Sequence, residues 1–186
     1  MRLPVFNTAI KDKLVIDPVS TTAKKMIVNS IKGSLSSDEA VTIIQPFIEN
    51  YIPKSQKIVF YPYYWVFFHY TVNTIIGKSR VNEASCFVDM INNIASTTDR
   101  FEKENIEVIS DNILTASISE EEAFKSARTY LTHASILKRK ALLVPDVEVI
   151  EKELIYKPFW IIKCTNRTRE NFSIMVDAVN GKYQTL

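Results

Sequence analysis

Glycine, cysteine and histidine are scarce in this sequence. Its 186 residues include three glycines, two cysteines and two histidines. So few glycines argue against a Gly-rich phosphate or dinucleotide loop. Two cysteines cannot form a disulfide framework, and the cysteines and histidines give neither a zinc finger nor a multi-histidine metal centre. We therefore expect no metal and no other cofactor.

An excess of one charge and a long hydrophobic run are also missing. The formal net charge is +2, from 23 Lys and Arg against 21 Asp and Glu, and a nearly neutral chain disfavours nucleic acid as a partner. The longest apolar run, Ile58–Phe68, contains Pro62 and is far shorter than the about 20 residues of a membrane-spanning helix. Polar residues interrupt Met1–Ile16, which argues against a signal peptide. We expect no membrane segment and favour the cytoplasm.

Two stretches of the chain are similar to each other. The aromatic segment Tyr61–Phe67 matches Tyr156–Ile162, with Tyr61 aligned to Tyr156 and Trp65 to Trp160. Downstream, Cys86–Asn93 matches Ile174–Gly181, which aligns Asp89 with Asp177. Self-similarity of this kind indicates an internal duplication.

Each copy opens with a helix signal and continues with strand signals. Ser36 with Glu39, and Ser119 with Glu122, have the spacing of a capping box. Aromatic and β-branched residues at Lys57–Val72 and Leu154–Thr165, and the alternation of Phe172–Asp177, predict strands. A further strand near Val147–Ile150 is expected to join the second long strand, and Pro46 is expected to shorten the first helix.

The predicted fold is α+β, with two helix-then-antiparallel-β-hairpin repeats and an N-terminal extension. The extension, residues 1–35, is predicted to hold a small hairpin and a helix that starts at Asp17-Pro18 and stops at Gly33. The first repeat is placed at 36–99, a docked connector with one short strand at 100–118, and the second repeat at 119–186.

The closing segment, Ile174–Lys182, resembles the last strand and turn of PepSY-like domains, in which a hydrophobic-Val-Asp-Ala-x-x-Gly-Lys pattern follows a Trp-containing strand. That strand is Tyr156–Lys163 here, and Asn93 replaces the turn glycine in the first copy. The resemblance implies a small α+β domain of PepSY-like or cystatin-like type. It also implies a non-catalytic role in inhibition or partner binding, of the kind found in bacterial cell-envelope proteins and protease propeptides.

The polar residues of the hairpins allow a chemical interpretation and a structural one. If the first hairpin turns near Ile76-Gly77, then His69, Cys86 and Asp89 could approach one another as a nucleophile arrangement. Asp89 and Asp177 equally suit turns, where Asp accepts backbone N–H groups, and cysteines suit a core. We expect no enzyme; a thiol-dependent enzyme using Cys86 and His69 is the alternative.

The partner site is predicted from positions at which the two copies differ. Tyr63, Phe68, His69 and Tyr70 of the first copy are predicted to form an aromatic groove with the Asn73–Asn82 loop, since Tyr offers contact area at low entropic cost. The predicted function is a non-catalytic module that binds a protein or peptide. A single-stranded nucleic-acid binder that uses the aromatic sheet is the remaining alternative. The sequence does not indicate an oligomeric state.

Overall fold

The structure, a computed structural model, describes residues 24–73, 79–139, 146–167 and 170–186. The predicted hairpin at the N-terminus and the predicted turn at Ile76-Gly77 lie outside these residues. The described elements are the strands β1 (Lys25–Ile31), β2 (Ile52–Asn73), β3 (Ser79–Asp89), β4 (Ile94–Thr97), β5 (Lys103–Ile109), β6 (Asp146–Thr165), β7 (Phe172–Asp177) and β8 (Tyr183–Thr185), and the helices α1 (Ser37–Ile44) and α2 (Glu120–Arg139).

The predicted fold of two helix-then-hairpin repeats is wrong, because strands dominate the chain. The described residues form eight strands against two α-helices. The sheet is mixed, since β1 pairs antiparallel with β5 but parallel with β6 at Ser30 and Tyr156. β2 and β6 have 22 and 20 residues, against about 5–6 in an average strand. Such strands are long enough for each to contribute to two separate cores.

β1 is a second correction, because residues 25–31 were predicted to belong to a helix. Met26, Ile27 and Ile31 fit a helical period, but this segment pairs along its whole length with β5, from Lys25 opposite Ile109 to Ile31 opposite Lys103. Val28 and Val108 are buried together beside Phe60. Tertiary pairing therefore overrides the local period.

The chain divides into two compact units, and each long strand contributes to both. Among the described residues, the first unit comprises Pro62–Arg100 and Ala116–Ile155, and the second comprises 24–61, 101–115 and 156–186. β2 and β6 each cross from one unit to the other, at residues 61–62 and 155–156.

The first unit packs α2 on the β2–β3 hairpin. β2 pairs antiparallel with β3 from Tyr63 opposite Asp89 to Asn73 opposite Ser79, and β4 pairs with β3. The helix buries one apolar face against alternate residues of the hairpin, and the shared core comprises Tyr64, Val66, Phe68, Cys86, Val88, Met90, Ala123, Ala127 and Leu131.

The second unit packs α1 on the β6–β7 hairpin. β6 pairs antiparallel with β7 from Phe159 opposite Asp177 to Cys164 opposite Phe172, and β8 pairs with β7. The core between helix and hairpin comprises Ala40, Ile44, Ile48, Ile162, Cys164, Ile174 and Val176. Each helix therefore covers the hairpin that belongs to the other half of the sequence.

The helix boundaries follow from local chemistry and confirm the predicted caps. Ser36 and Glu39 form a capping box, with the Ser36 backbone N–H donating to Glu39 Oε2 at 2.7 Å. Ser119 and Glu122 repeat it, with the same bond at 2.9 Å. α1 ends at Ile44, and a 3₁₀ turn that contains Pro46 follows, as expected of a proline. Among the described residues, no helix is both long and apolar enough to cross a membrane.

Candidate functional site

The four residues predicted to bind a partner do not lie on one face of the first unit. Phe68 is fully buried in the core beneath α2, and Tyr70 lies on the same side of β2, since side chains alternate along a strand. Tyr63 and His69 point to the opposite side, where Tyr63 is buried against Phe87 with ring centroids 5.4 Å apart. Only His69 and Tyr70 are half-exposed.

The structure separates the members of the proposed nucleophile arrangement. Cys86 lies opposite Val66, and His69 lies opposite Glu83, one residue away from the register assumed from the sequence. A slip of one residue exchanges the two faces of a strand, so Cys86 and His69 lie on opposite faces. Burial raises the pKa of the Cys86 thiol to about 12, which keeps it protonated at neutral pH.

Asp89 and Asp177 occupy equivalent turns at the ends of the two hairpins, as predicted for turn-forming carboxylates. Asp89 Oδ1 accepts the backbone N–H groups of Ile91 and Asn92 at 2.9 and 3.0 Å. Asp177 Oδ1 accepts that of Val179 at 3.0 Å. These bonds account for both carboxylates structurally.

The strand pairing next to the two turns shows that Trp65 and Trp160 do not occupy equivalent positions in their hairpins. Because Asp89 lies opposite Tyr63 and Asp177 lies opposite Phe159, the position equivalent to Trp160 is Tyr64. The Trp65 indole Nε1–H donates to Ser85 Oγ at 2.6 Å on the face away from α2. The indole of Trp160, on the α1 face, donates instead to the Leu35 carbonyl at 2.9 Å.

A buried ion pair in the second unit was not predicted. Lys157 Nζ lies 2.5 Å from Asp177 Oδ2, and both side chains are almost fully buried. Burial lowers the pKa of Lys157, and the Asp177 charge opposes that effect. Since each charge is neutralised by the other, the arrangement is structural.

The Gly33 groove is a surface depression of the second unit. We use this name for the cavity of about 290 Å³ between the Gly33–Ser36 segment and the strands, which is lined by Ser30, Gly33, Ser34, Leu35, Ser36, Ile58, Phe60, Glu104, Ile106, Pro158 and Ala178. Its floor is apolar, its rim carries Glu104, Ser34 and Ser36, and the remaining serine of the lining, Ser30, is buried.

Pro158 explains why the groove exists. β1 and β6 are bridged at Ser30 and Tyr156, and Pro158 has no N–H with which to extend the pairing. The chain beyond β1 instead turns to the hairpin end, where the N–H groups of Ser34 and Leu35 donate to the Ala178 carbonyl at 2.9 and 3.0 Å. The Gly33–Ser36 segment is thereby fixed as one wall, further held by the Trp160 indole.

The serine hydroxyl groups of the groove are already hydrogen-bonded within the protein. Ser30 Oγ donates to the Tyr156 carbonyl at 3.1 Å, and Ser34 Oγ donates to the Val179 carbonyl at 2.9 Å. Ser36 Oγ is engaged with Glu39 in the capping box. The groove contains no His, Cys or second carboxylate to act with Glu104. Across the described part of the chain, no three His, Cys, Asp or Glu residues are grouped as a metal site.

The sequence reasoning missed the groove because its residues come from five separate segments. One signal was available: a proline inside a strand marks a place where pairing is interrupted. Comparison with known proteins adds no assignment, since no protein-family model, curated protein or solved structure matches the chain.

Proposed function

We propose that this protein is a non-catalytic binding module, and that a segment of a partner protein or peptide occupies the Gly33 groove. The observation that carries the proposal is the combination of an apolar floor with serine hydroxyl groups that are already hydrogen-bonded within the protein. Such a surface can bury apolar side chains, and it lacks the paired acid, base or nucleophile that a reaction needs.

The size of the groove favours side chains of a partner over a whole cofactor. Small-molecule sites have volumes of about 300–1,000 Å³, and the groove, at about 290 Å³, lies at the lower limit. One or two side chains of a bound segment fit this volume. A PepSY-like binding role is compatible with such a site and remains part of the proposal.

The test is a selection of random heptapeptides displayed on phage against the full-length chain, followed by fluorescence anisotropy with the recovered peptides. Gly33→Leu places a side chain in the groove at a position where an added Cβ meets Pro158 Cγ at 3.5 Å, an ordinary contact distance. The matched control is Thr97→Leu, which adds the same side chain to exposed β4 of the first unit.

We expect Gly33→Leu to weaken binding at least about tenfold, equivalent to ~1.4 kcal/mol, and Thr97→Leu to leave it unchanged. Recovery of no peptide that binds above a scrambled sequence would overturn the proposal. So would equal affinities for the wild type and Gly33→Leu.

A further inference from the structure

We infer that the Gly33 groove selects partner segments that place a lysine or arginine side chain against Glu104. This inference rests on the proposed function and names the chemistry of the bound segment. Among the described residues that line the groove, Glu104 is the only charged one. It is half-buried at the rim, next to the apolar floor.

The carboxylates on and beside β5 differ in whether they have a cationic partner. Lys32 Nζ lies 2.9 Å from Glu102 Oε2, and Lys25 Nζ lies 2.7 Å from Glu107 Oε1. Glu104 lies between these two pairs and has no ion-pair partner among the described residues. Its carboxylate accepts one long hydrogen bond, from the Gly33 backbone N–H at 3.4 Å.

Lys32, whose charge interacts with that of Glu104, is already engaged by Glu102. The pKa of Lys32 is raised mainly by its hydrogen bond to Glu102 and by the charge of Glu102, and the charge of Glu104 contributes less. The Lys32 ammonium therefore stays with Glu102, and Glu104 retains acceptor capacity that faces the groove.

The chemistry of the walls matches a long basic side chain. Ile58, Phe60 and Ile106 provide apolar surface, along which Lys and Arg side chains pack their methylene stems while the charged end reaches a polar group. A hydrogen bond from a cationic donor to a carboxylate is about twice as strong as one between neutral groups. The same carboxylate repels phosphates and acidic segments, which separates this partner from nucleic acid.

The experiment uses full-length protein and the peptides recovered by the phage selection described above. Pools selected on the wild type are compared with pools selected on Glu104→Gln, which keeps the side-chain volume and can still accept the Gly33 N–H. Glu107→Gln is the matched control, because it removes a carboxylate of the same strand that does not line the groove, and it leaves the pair of Lys32 with Glu102 intact. Circular dichroism checks that each variant is folded.

We expect Lys or Arg to be enriched at one position in the wild-type pool and in the Glu107→Gln pool, but not in the Glu104→Gln pool. Replacement of that lysine by norleucine in a synthetic peptide is expected to weaken wild-type binding about tenfold and to leave binding to Glu104→Gln unchanged.

Two outcomes would overturn the inference, and they are distinguishable. In the first outcome, the recovered peptides bind Gly33→Leu more weakly than the wild type, but they show no enrichment of Lys or Arg or bind equally well with norleucine. This result would rule out the role of Glu104 and leave the proposed function standing. Peptides that bind the wild type and Gly33→Leu equally would remove both.

Discussion

Ser126 Oγ donates a hydrogen bond of 2.7 Å to Asn93 Oδ1 and so links α2 to the end of the hairpin that it covers. Asn93 has a positive φ of 54°. In the second unit the equivalent turn residue is Gly181, with a φ of 72°, and the helix residue that approaches it is Ile43. Counted from the caps at Ser36 and Ser119, Ile43 and Ser126 occupy the same helix position.

The two turns satisfy the same backbone requirement by different means. A polar pair stabilises Asn93, whereas Gly181 lets an isoleucine pack directly against its backbone. We expect Asn93→Ala to lower the free energy of unfolding by about 1–3 kcal/mol, because alanine is strained at positive φ and cannot bond Ser126. Urea denaturation followed by circular dichroism measures this change.

Two matched variants separate the causes. Asn93→Gly keeps the accessible φ and loses only the side-chain bond, and Ser126→Ala removes the same bond without changing the turn. Each is expected to cost no more than about 1 kcal/mol. If Asn93→Gly lowered the free energy of unfolding as much as Asn93→Ala, the backbone conformation would not be the main cause of the loss.

Gly181 allows a sharper test. An added Cβ would lie 3.0 Å from Ile43 Cδ1 at a φ of 72°, whereas at Gly33 the nearest atom is 3.5 Å away and φ is not in the left-handed region. We expect Gly181→Ala to destabilise the protein by about 1–3 kcal/mol and Gly33→Ala to change stability by less than about 1 kcal/mol. Equal changes in the urea midpoint would contradict this account.

The features predicted correctly from the sequence are those with local causes. The capping boxes at Ser36 and Ser119, the early end of α1 before Pro46 and the turns at Asp89 and Asp177 depend on groups within a few residues of one another. Side chain and backbone are in reach of each other there whatever the rest of the chain does.

The features predicted wrongly depend on long-range pairing. β1 becomes a strand because β5 is there to pair with it, and the tryptophans match in sequence although the turn register places them on opposite faces. The nucleophile arrangement failed for the same reason, since a register shifted by one residue places Cys86 and His69 on opposite faces of the hairpin. Glu104 and Gly33 are 71 residues apart, and no local pattern joins them.

The buried pair Lys157–Asp177 leads to a prediction about unpaired charge. Lys157→Met leaves the Asp177 carboxylate buried without its cation, and we expect a loss of about 3–5 kcal/mol in the free energy of unfolding. The double variant Lys157→Met with Asp177→Asn removes the charge and retains an acceptor for the Val179 N–H. It should therefore be more stable than Lys157→Met alone in urea denaturation, and a double variant less stable than the single one would refute the argument.

Cys86 predicts a change of stability with pH. Its pKa is about 12 in the folded chain, against 9.0 for an unperturbed thiol. Above pH 9 the thiol loses its proton in the unfolded state while the folded state retains it, so stability falls with rising pH until the folded pKa is reached. Between pH 8 and 10.5 the stability of the wild type should fall by about 2 kcal/mol relative to that of Cys86→Ala. Parallel curves of unfolding free energy for the two proteins would contradict the burial of this thiol.

Each helix packs on the hairpin from the other half of the sequence, and this exchange of helices predicts how two fragments of the chain behave. Cutting between residues 115 and 116 separates α2 from the β2–β3 hairpin and α1 from the β6–β7 hairpin. Neither fragment then retains a complete helix-on-hairpin core, and an uncovered hairpin is at best marginally stable in water.

We therefore expect fragments 1–115 and 116–186 to show no cooperative unfolding when isolated, and an equimolar mixture to regain the circular dichroism spectrum of the intact chain. Trp65 and Trp160 lie in different fragments and in different units, so the fluorescence change on mixing can be assigned to each unit by single Trp→Phe variants. Since both cores need residues from both fragments, the two signals should rise together with fragment concentration. If fragment 116–186 alone unfolds cooperatively, its helix covers its own hairpin and the exchange is wrong.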